Sequence, residues 1–515
     1  APQVEEHTHS LRLTPDGGFF LATALLAAAV VLTRLPFMTR TLYAFDSANY
    51  ALAVRDFYNV AFHQPHPPGY PLYVGVARAI DLLTHDANRA LIVEGVLWSV
   101  LAVVCTALLG RAFFGRAVGL LAATLLLFTV GFWGYGEVAY PYVALAGETA
   151  VLGWLAFGTL QGRRGRVVWL GLAWGISAGV RWDGAVFCLP LWLWALWAAP
   201  WRLRLASVGL AFAVLVAWAV PMVQLTGGWD AYRQALASYI QVWSAQSAYV
   251  VGDFASGGDV QAGYNLNFLI NYLRQMLGVG LLLVLYLVGR RFGPARLAAD
   301  QRSRFLLVWT LPPLLVYVLA HLGEPGYVLS LAPQAALLIA LACFDLSQDC
   351  QRAAEVLRAR GWRWLPDVKV AVTALLALTV IAWNIQAFAR GVGPGRLPDL
   401  RAHDSTTAAQ VQYLQQLPQG TTLVLAHDIL RQLAYYLPGT RVELLYSEYV
   451  PNFSSARART ELPAGTQQVV ILDEIPGAQE VVLSQHPRVS VWVLDARGAR
   501  AIEHGYRFAQ LEPAV

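Results

Sequence analysis

The stretch Phe45-Asp-Ser-Ala-Asn-Tyr-Ala-Leu-Ala-Val-Arg-Asp-Phe-Tyr-Asn-Val-Ala-Phe-His-Gln-Pro-His-Pro-Pro-Gly-Tyr-Pro-Leu-Tyr73 decides how the rest of the chain reads. It follows an apolar run and is itself too polar to cross a bilayer. Asp46 and Ser47 suit the cap of a helix whose Tyr50, Ala53, Val54, Phe57, Val60 and Ala61 share one face. Such a helix lies in the membrane interface rather than through it. The run His66-Pro-Pro-Gly-Tyr-Pro71 must then turn the chain, because proline fixes φ and biases the preceding residue away from helix. An acid, the histidines His63 and His66 and several tyrosines, Tyr70 among them, are thereby expected at one membrane surface.

Composition sets the class. Hydrophobic residues make up 57% of the 515 and charged residues 13%, and the mean hydropathy is +0.48. Several apolar runs reach roughly 20 residues, the length that crosses a bilayer. The chain reads as a polytopic α-helical membrane protein. The formal charge of +5 carries no nucleic-acid signal, because the arginines sit in short loops between apolar runs. Cys105, Cys188 and Cys343 lie in apolar runs and Cys350 beside one, so no disulfide framework is implied. The first apolar run reads as a span rather than a cleaved leader.

Eleven spans are expected, near 18–36, 89–110, 117–133, 141–160, 167–181, 184–199, 205–222, 268–289, 305–320, 327–345 and 367–388. With the N-terminus inside, the inner loops collect Arg111 and Arg116, Arg163 to Arg166, Arg202 and Arg204, Arg290 to Arg304, and Arg352 to Arg363. The outer loops 134–140 and 321–326 hold no lysine or arginine. That asymmetry sets the orientation. Residues 223–267 read as a long polar outer loop rich in Gly and Tyr. Residues 1–390 form the transmembrane domain, 391–400 a Gly-Pro linker, and 401–515 a small extracytoplasmic α/β domain. In that domain Asp404 suits a helix cap, and strands are expected at 421–426, 441–446, 468–473 and 489–494, with helices near 428–437 and 477–485.

This topology gathers the chemically capable residues on one side: Asp46, His63, His66, Glu137, Arg181, Asp183, His321 and Glu324. Each has a plain structural alternative. Asp46 can be only a cap; His63 and His66 can brace the turn; Arg181 and Asp183 can pair at a helix-helix corner. Glu148 lies inside the fourth span, where a charged carboxylate costs roughly 2.5–3.5 kcal/mol. It reads as a bracing group with a partner such as Arg181.

The acid after the first span, followed by His66-Pro-Pro-Gly-Tyr-Pro-Leu-Tyr73, resembles glycosyltransferases of the GT-C fold, specifically the protein O-mannosyltransferase and aminoarabinose-transferase superfamily. Ala87-Asn-Arg-Ala-Leu91, Leu109-Gly-Arg-Ala-Phe-Phe-Gly-Arg116, Gly171-Leu-Ala-Trp-Gly-Ile-Ser-Ala-Gly179 and His321-Leu-Gly-Glu-Pro-Gly-Tyr327 are similar to its recurring segments, over roughly residues 20–390. The resemblance implies an inverting transfer of a sugar, mannose-like or a modified pentose, from a polyprenyl-phosphate carrier to an acceptor protein, lipid or glycan outside the cytoplasm. It places Asp46 at the position of the catalytic base. Many members carry two adjacent acids there; this chain has Asp46-Ser47, so Asp56 or Glu137 would fill the second role. It also implies a prokaryotic cytoplasmic (inner) membrane location with the site facing outside. No cofactor is expected, a divalent metal being the less favoured alternative, since 134–140 lacks the paired acids of metal-using oligosaccharyltransferases.

The residues allow the same chemistry independently. A carboxylate in a partly apolar cleft can take the acceptor's proton. The departing phosphate needs cations, for which Arg181 is best placed and Arg55 next. Tyr70, Tyr140 and Tyr327 would complete the cleft with His63, His66, Glu137, Asp183, His321 and Glu324. The competing readings are a ligase or polymerase using a diphosphate-linked lipid, and a transporter or flippase of lipid-linked sugars. A transporter would show inverted repeats and midplane breaks.

Overall fold

The computed structural model describes residues 14–244, 258–291, 293, 300–426, 429–444, 457–459, 465–472, 490–495, 498–501 and 508–510. Helices α1 (Pro15–Arg34), α4 (Ala87–Phe114), α7 (Tyr142–Leu160), α10 (Trp201–Leu225), α14 (Gln301–Leu319), α15 (Ala332–Ala359) and α16 (Lys369–Arg390) carry the seven stretches long and apolar enough to cross a membrane. The described residues also hold two bent pairs, which raise the number to nine if each is one span. The chain is an integral membrane protein.

The first bent pair, α5 (Arg116–Leu127) with α6 (Val130–Gly134) and the turn behind it, breaks by 64°. The second, α12 (Gly258–Leu277) with α13 (Gly280–Arg291), breaks by 110°. The straight span expected over 268–289 is thereby corrected: Gly278 sits at φ +52° between the two pieces, a conformation that ends an α-helix. The two remaining expected spans fall on α8 (Arg166–Val180) and α9 (Trp182–Ala198), which have only 15 and 17 residues. They meet at Arg181, whose extended backbone (φ −150°, ψ 106°) is the corner.

Helix α4 packs on α5 and α7, and α8 packs on α10. Prolines stand inside α9, α10 and α14, and each removes one helix amide donor. The expected outer loop 223–267 is corrected to helix at both ends, α11 (Trp229–Ser244) and α12. Its Gly252–Ser256 stretch lies outside the described residues.

Two short helices lie beside this bundle. Helix α2 (Phe45–Arg55) starts after Ala44 and has no Asp46 cap; instead the Ala44 amide donates to Ser47 Oγ at 3.2 Å. The expected helical face stops at Arg55, so Phe57, Val60 and Ala61 belong to the turn beyond it. Helix α3 (Pro71–Thr84) begins at the end of the Pro-rich turn. Tyr50, Tyr70 and Tyr73 pack between α2 and α3 as a separate buried cluster.

The C-terminal part is a seven-stranded sheet in the order β3-β7-β2-β1-β4-β5-β6. Its centre is parallel: β2 (Arg441–Leu444), β1 (Thr422–Ala426), β4 (Gln468–Leu472) and β5 (Ser490–Asp495). These are the four expected strands. The short β3 (Arg457–Arg459), β6 (Gly498–Ala501) and β7 (Phe508–Gln510) add antiparallel edges that residue pattern did not reveal. The helix expected near 477–485 lies outside the described residues.

Helices α17 (Leu397–Gln415) and α18 (Leu430–Tyr436) cover the sheet and hold it to the membrane part. Asp404, expected to cap a helix, is instead a mid-helix residue of α17. Its carboxylate accepts from the amides of Arg40 and Thr41 and from Thr41 Oγ1, all at 2.8–3.0 Å. Tyr436 OH accepts from the Leu42 amide at 2.8 Å, and Arg401 donates to Phe37 O at 3.1 Å. Phe45 packs on the core of this part, beside Leu430 and Leu433.

The arginine asymmetry predicts that residues 400–515 lie outside. A Gln419→Cys probe, at an exposed position and in a Cys350→Ser background, should be labelled by an impermeant maleimide in intact cells. Labelling only after permeabilisation would reverse the orientation.

Candidate active site

Asp46 occupies the second residue of α2, with 33% of its side chain exposed, so a reactant can reach it. Three neighbours converge on its carboxylate. Tyr140 OH donates to Oδ2 at 3.1 Å, Asn49 Nδ2 donates to Oδ1 at 3.3 Å, and His66 Nδ1 stands 3.3 Å from Oδ1. Burial favours the neutral acid, but His66, Tyr140 and Asn49 outweigh it and hold the carboxyl down at about 2.

His66 is 7% exposed and is delivered by the Pro-rich turn. That turn depends on Gly69, at φ +121°, whose carbonyl accepts from Tyr58 OH at 2.6 Å. A Cβ there would stand 2.7 Å from Tyr58 OH and 2.8 Å from Met222 Sδ. His63, at φ 53° in the same turn, has its ring pushed down to about 4 by burial, with His66 and Arg431 adding to the effect.

A second carboxylate completes the acid's surroundings. Tyr140 OH also lies 3.4 Å from Glu324 Oε1, so one phenol proton serves two acids and can satisfy only one at a time. Burial first, and then the neighbouring Asp46 charge, push Glu324 up to about 7. Glu324, rather than Asp56 or Glu137, is thus the second carboxylate that stands beside Asp46. Asp56 instead pairs with Arg55 at 2.6 Å.

Arg181, at the α8–α9 corner, is 3% exposed. Its Nε donates to Asp183 Oδ2 at 2.9 Å, and no other hydrogen bond of its guanidinium forms among the described residues. The cation lies over the rings of Tyr142 (4.5 Å), Tyr327 (5.1 Å) and Tyr70 (6.0 Å). Two aromatic paths join it to Asp46. One runs through Tyr140 stacked on Tyr142 at 4.5 Å, the other through His66 against Tyr70 at 5.1 Å.

Beside the cation opens a mostly apolar cavity of about 580 Å³, within the usual range for small-molecule sites. Tyr70, Trp182, Asp183, Tyr317, His321 and Tyr327 line it, with α10 and α11 on its far side. Of the expected residues, the structure brings together Asp46, His63, His66, Tyr70, Tyr140, Arg181, Asp183, His321, Glu324 and Tyr327.

Two expected cleft residues, Glu137 and Arg55, stand elsewhere, while Glu148 lies buried near Arg181. Glu137 is fully buried; the Thr39 amide and hydroxyl donate to its backbone oxygen, and its carboxylate lies in the field of the buried Arg34, whose side chain packs over Gly136. A desolvated carboxylate needs a cation, and Arg34 is the one beneath it. Arg55 spends its guanidinium on Asp56, on Tyr435 O at 2.6 Å and on the Tyr435 ring, leaving it no phosphate role. Glu148 is buried beside Ser177 and Gly184 in the field of Arg181, but Arg181 directs its Nε to Asp183.

Sequence reasoning missed Arg431. It comes from α18 and donates from Nε to Asn49 Oδ1 at 2.6 Å. No local pattern in α18 marks it. Among the described residues, no group of three or more His, Cys, Asp or Glu side chains is placed to hold a metal ion.

No family model matches the chain, and no curated protein matches it. Solved structures do. ArnT from Cupriavidus metallidurans bound to undecaprenyl phosphate is similar at a TM-score of 0.51 and 16% identity, over 84% of this chain and 87% of that one. Its apo form gives the same score and identity over 84% and 86%. The apo Archaeoglobus fulgidus oligosaccharyltransferase is similar at 0.49 and 15%, over 82% and 64%. The chain has the GT-C fold that ArnT displays.

Gly69→Ala should strain the turn that presents His66 and lower stability by about 1–3 kcal/mol, the usual cost of a side chain forced into such backbone. A detergent-solubilised thermal melt unchanged from wild type would contradict this geometry.

Proposed function

We propose that the chain is an inverting glycosyltransferase that moves a sugar from a polyprenyl-phosphate carrier to an acceptor hydroxyl or amine. The observation that carries this reading is one constellation. An ionised, reachable carboxylate stands on one side of an aromatic wall; a buried arginine and an apolar cavity stand on the other. The GT-C fold, and the undecaprenyl phosphate held by ArnT, support the same class of donor.

In this reading the acceptor approaches Asp46 from the exposed side and attacks the anomeric carbon. Asp46 takes the proton as the new glycosidic bond forms. The bond from the anomeric carbon to the phosphate oxygen breaks, and polyprenyl phosphate leaves with the electron pair. Arg181 faces that oxygen with its unspent N–H groups. Asp183 neutralises part of the cation's charge, so the pair binds phosphate by directed donors more than by net charge. The apolar cavity takes the first isoprene units, and Tyr70 and Tyr327 flank the sugar. His66 and Tyr140 keep Asp46 aimed. The acceptor is a protein, lipid or glycan on the outer side of a prokaryotic inner membrane, and the sugar is mannose-like or a modified pentose.

Purified protein incubated with undecaprenyl-phosphate mannose or undecaprenyl-phosphate aminoarabinose and an envelope extract should release undecaprenyl phosphate. Positioned bases contribute roughly 10²–10⁴-fold, so Asp46→Asn should slow release at least ~100-fold with an unaltered melt. Arg181→Ala should raise the donor KM. Full activity in Asp46→Asn removes it as the base, and use of nucleotide sugars alone would overturn the function.

Glu324 gives the pH dependence its sign. Below about 7 it is neutral and the acid pair carries one charge; above that value it ionises and adds a second beside the incoming phosphate. Donor KM should therefore rise as pH passes upward through about 7. In Glu324→Gln the rise should vanish; a rise that persists assigns it to another group.

A further inference from the structure

Arg431 reaches the acid's surroundings from α18, and its three hydrogen bonds fall on two different segments. Nε donates to Asn49 Oδ1 at 2.6 Å, while the Nη2 group donates to Phe62 O at 2.7 Å and to His63 O at 3.2 Å. Asn49 belongs to α2 and its own Nδ2 donates to Asp46 Oδ1. Phe62 and His63 open the turn that delivers His66, the other partner of that same oxygen. One planar guanidinium thus ties the helix carrying Asp46 to the turn carrying His66.

The chemistry of the amide makes this link directional. A primary amide presents oxygen from one end and N–H from the other. Were Asn49 reversed, its oxygen would face the Asp46 carboxylate and repel it. A cationic donor at 2.6 Å holds the amide oxygen toward α18 and so leaves the N–H end for Asp46. Among the described residues nothing else in α2 performs this selection: the remaining partners of Asp46 there are Tyr140 and His66, from outside the helix.

We propose that Arg431 is a positioning residue for the transfer reaction, acting through Asn49 and the His63 carbonyl to hold Asp46 and His66 in register. The C-terminal part then serves the site directly, by holding Asn49 and the 62–63 turn around the base. This rests on Asp46 being that base.

The test is a double-mutant cycle on the full chain in detergent, with undecaprenyl-phosphate mannose and undecaprenyl-phosphate aminoarabinose as donors and release of undecaprenyl phosphate as the rate. Arg431→Gln and Asn49→Ala should each lower kcat about tenfold with donor KM unchanged, and the double variant should be no slower than the worse single one, as expected for groups acting in series. Arg401→Gln is the docking control: it loosens the hold of α17 on Phe37 without touching α18 or Asn49, and kcat should stay at the wild-type value. Additive losses, a rise in donor KM with kcat intact, or an equal loss in Arg401→Gln would each overturn the proposal. Asp46→Asn separates the two readings. If it is inactive while Arg431→Gln matches wild type, only the positioning role fails. If it is active, or if neither donor is turned over by wild type, the assignment of the base fails and the positioning role with it.

Discussion

The carboxylate of Asp404 holds the backbone that leads into the acid's helix, and the site depends on that grip. Two amides and one hydroxyl of Arg40 and Thr41 converge on it. These donors belong to residues 38–44, between a 3-10 turn at Leu35–Phe37 and α2, where no regular secondary structure satisfies them internally. A charged acceptor bonds an amide about twice as strongly as a neutral one. With that segment anchored, α2 starts at Phe45, and Asp46 falls where Tyr140 and His66 can reach it. The anchor comes from α17, so the soluble part is a working component of the membrane part's site.

A bilayer imposes the second constraint. Polar groups inside it must find partners within the protein. The chain meets this by stacking its ionisable residues in layers. Arg34 lies under Glu137, and Arg181 pairs with Asp183 under a roof of tyrosine rings. The tyrosines suit both requirements, since each offers an apolar face to the bundle and a hydroxyl to an acid. Tyr140 is the clearest case, stacked on Tyr142 by its ring and shared between Asp46 and Glu324 by its hydroxyl.

The division of acid roles illustrates how proximity and chemistry combine. Asp46 and Glu324 are both carboxylates with a common phenol, yet their environments push them in opposite directions. Asp46 has His66 and Asn49 as donors in addition, and stays ionised. Glu324 has the charge of Asp46 as a neighbour, and holds its proton up to near neutrality. The two carboxylates thereby stand side by side with a single negative charge up to near neutrality.

Residue pattern alone identified the class and most of the apolar helices, because these follow from local quantities: apolar length and proline placement. The parallel strands β1, β2, β4 and β5 were legible for the same reason, since central strands are runs of β-branched and aliphatic residues. The acid at Asp46 and the His66 turn were legible as a motif. What sequence could not supply was pairing. It placed Glu137 and Arg55 in the cleft because both lie near its mouth in the chain, but burial against Arg34 and competition from Asp56 removed them. It treated residues 223–267 as loop because polarity hides an interfacial helix. It gave Arg431 no role, since its partner Asn49 lies 382 residues away and only packing of α18 on α2 brings them together. Hydropathy and turn chemistry act within a few residues and can be read along the chain. Which donor meets which carboxylate is decided across the whole molecule, by tertiary contacts that no local rule encodes.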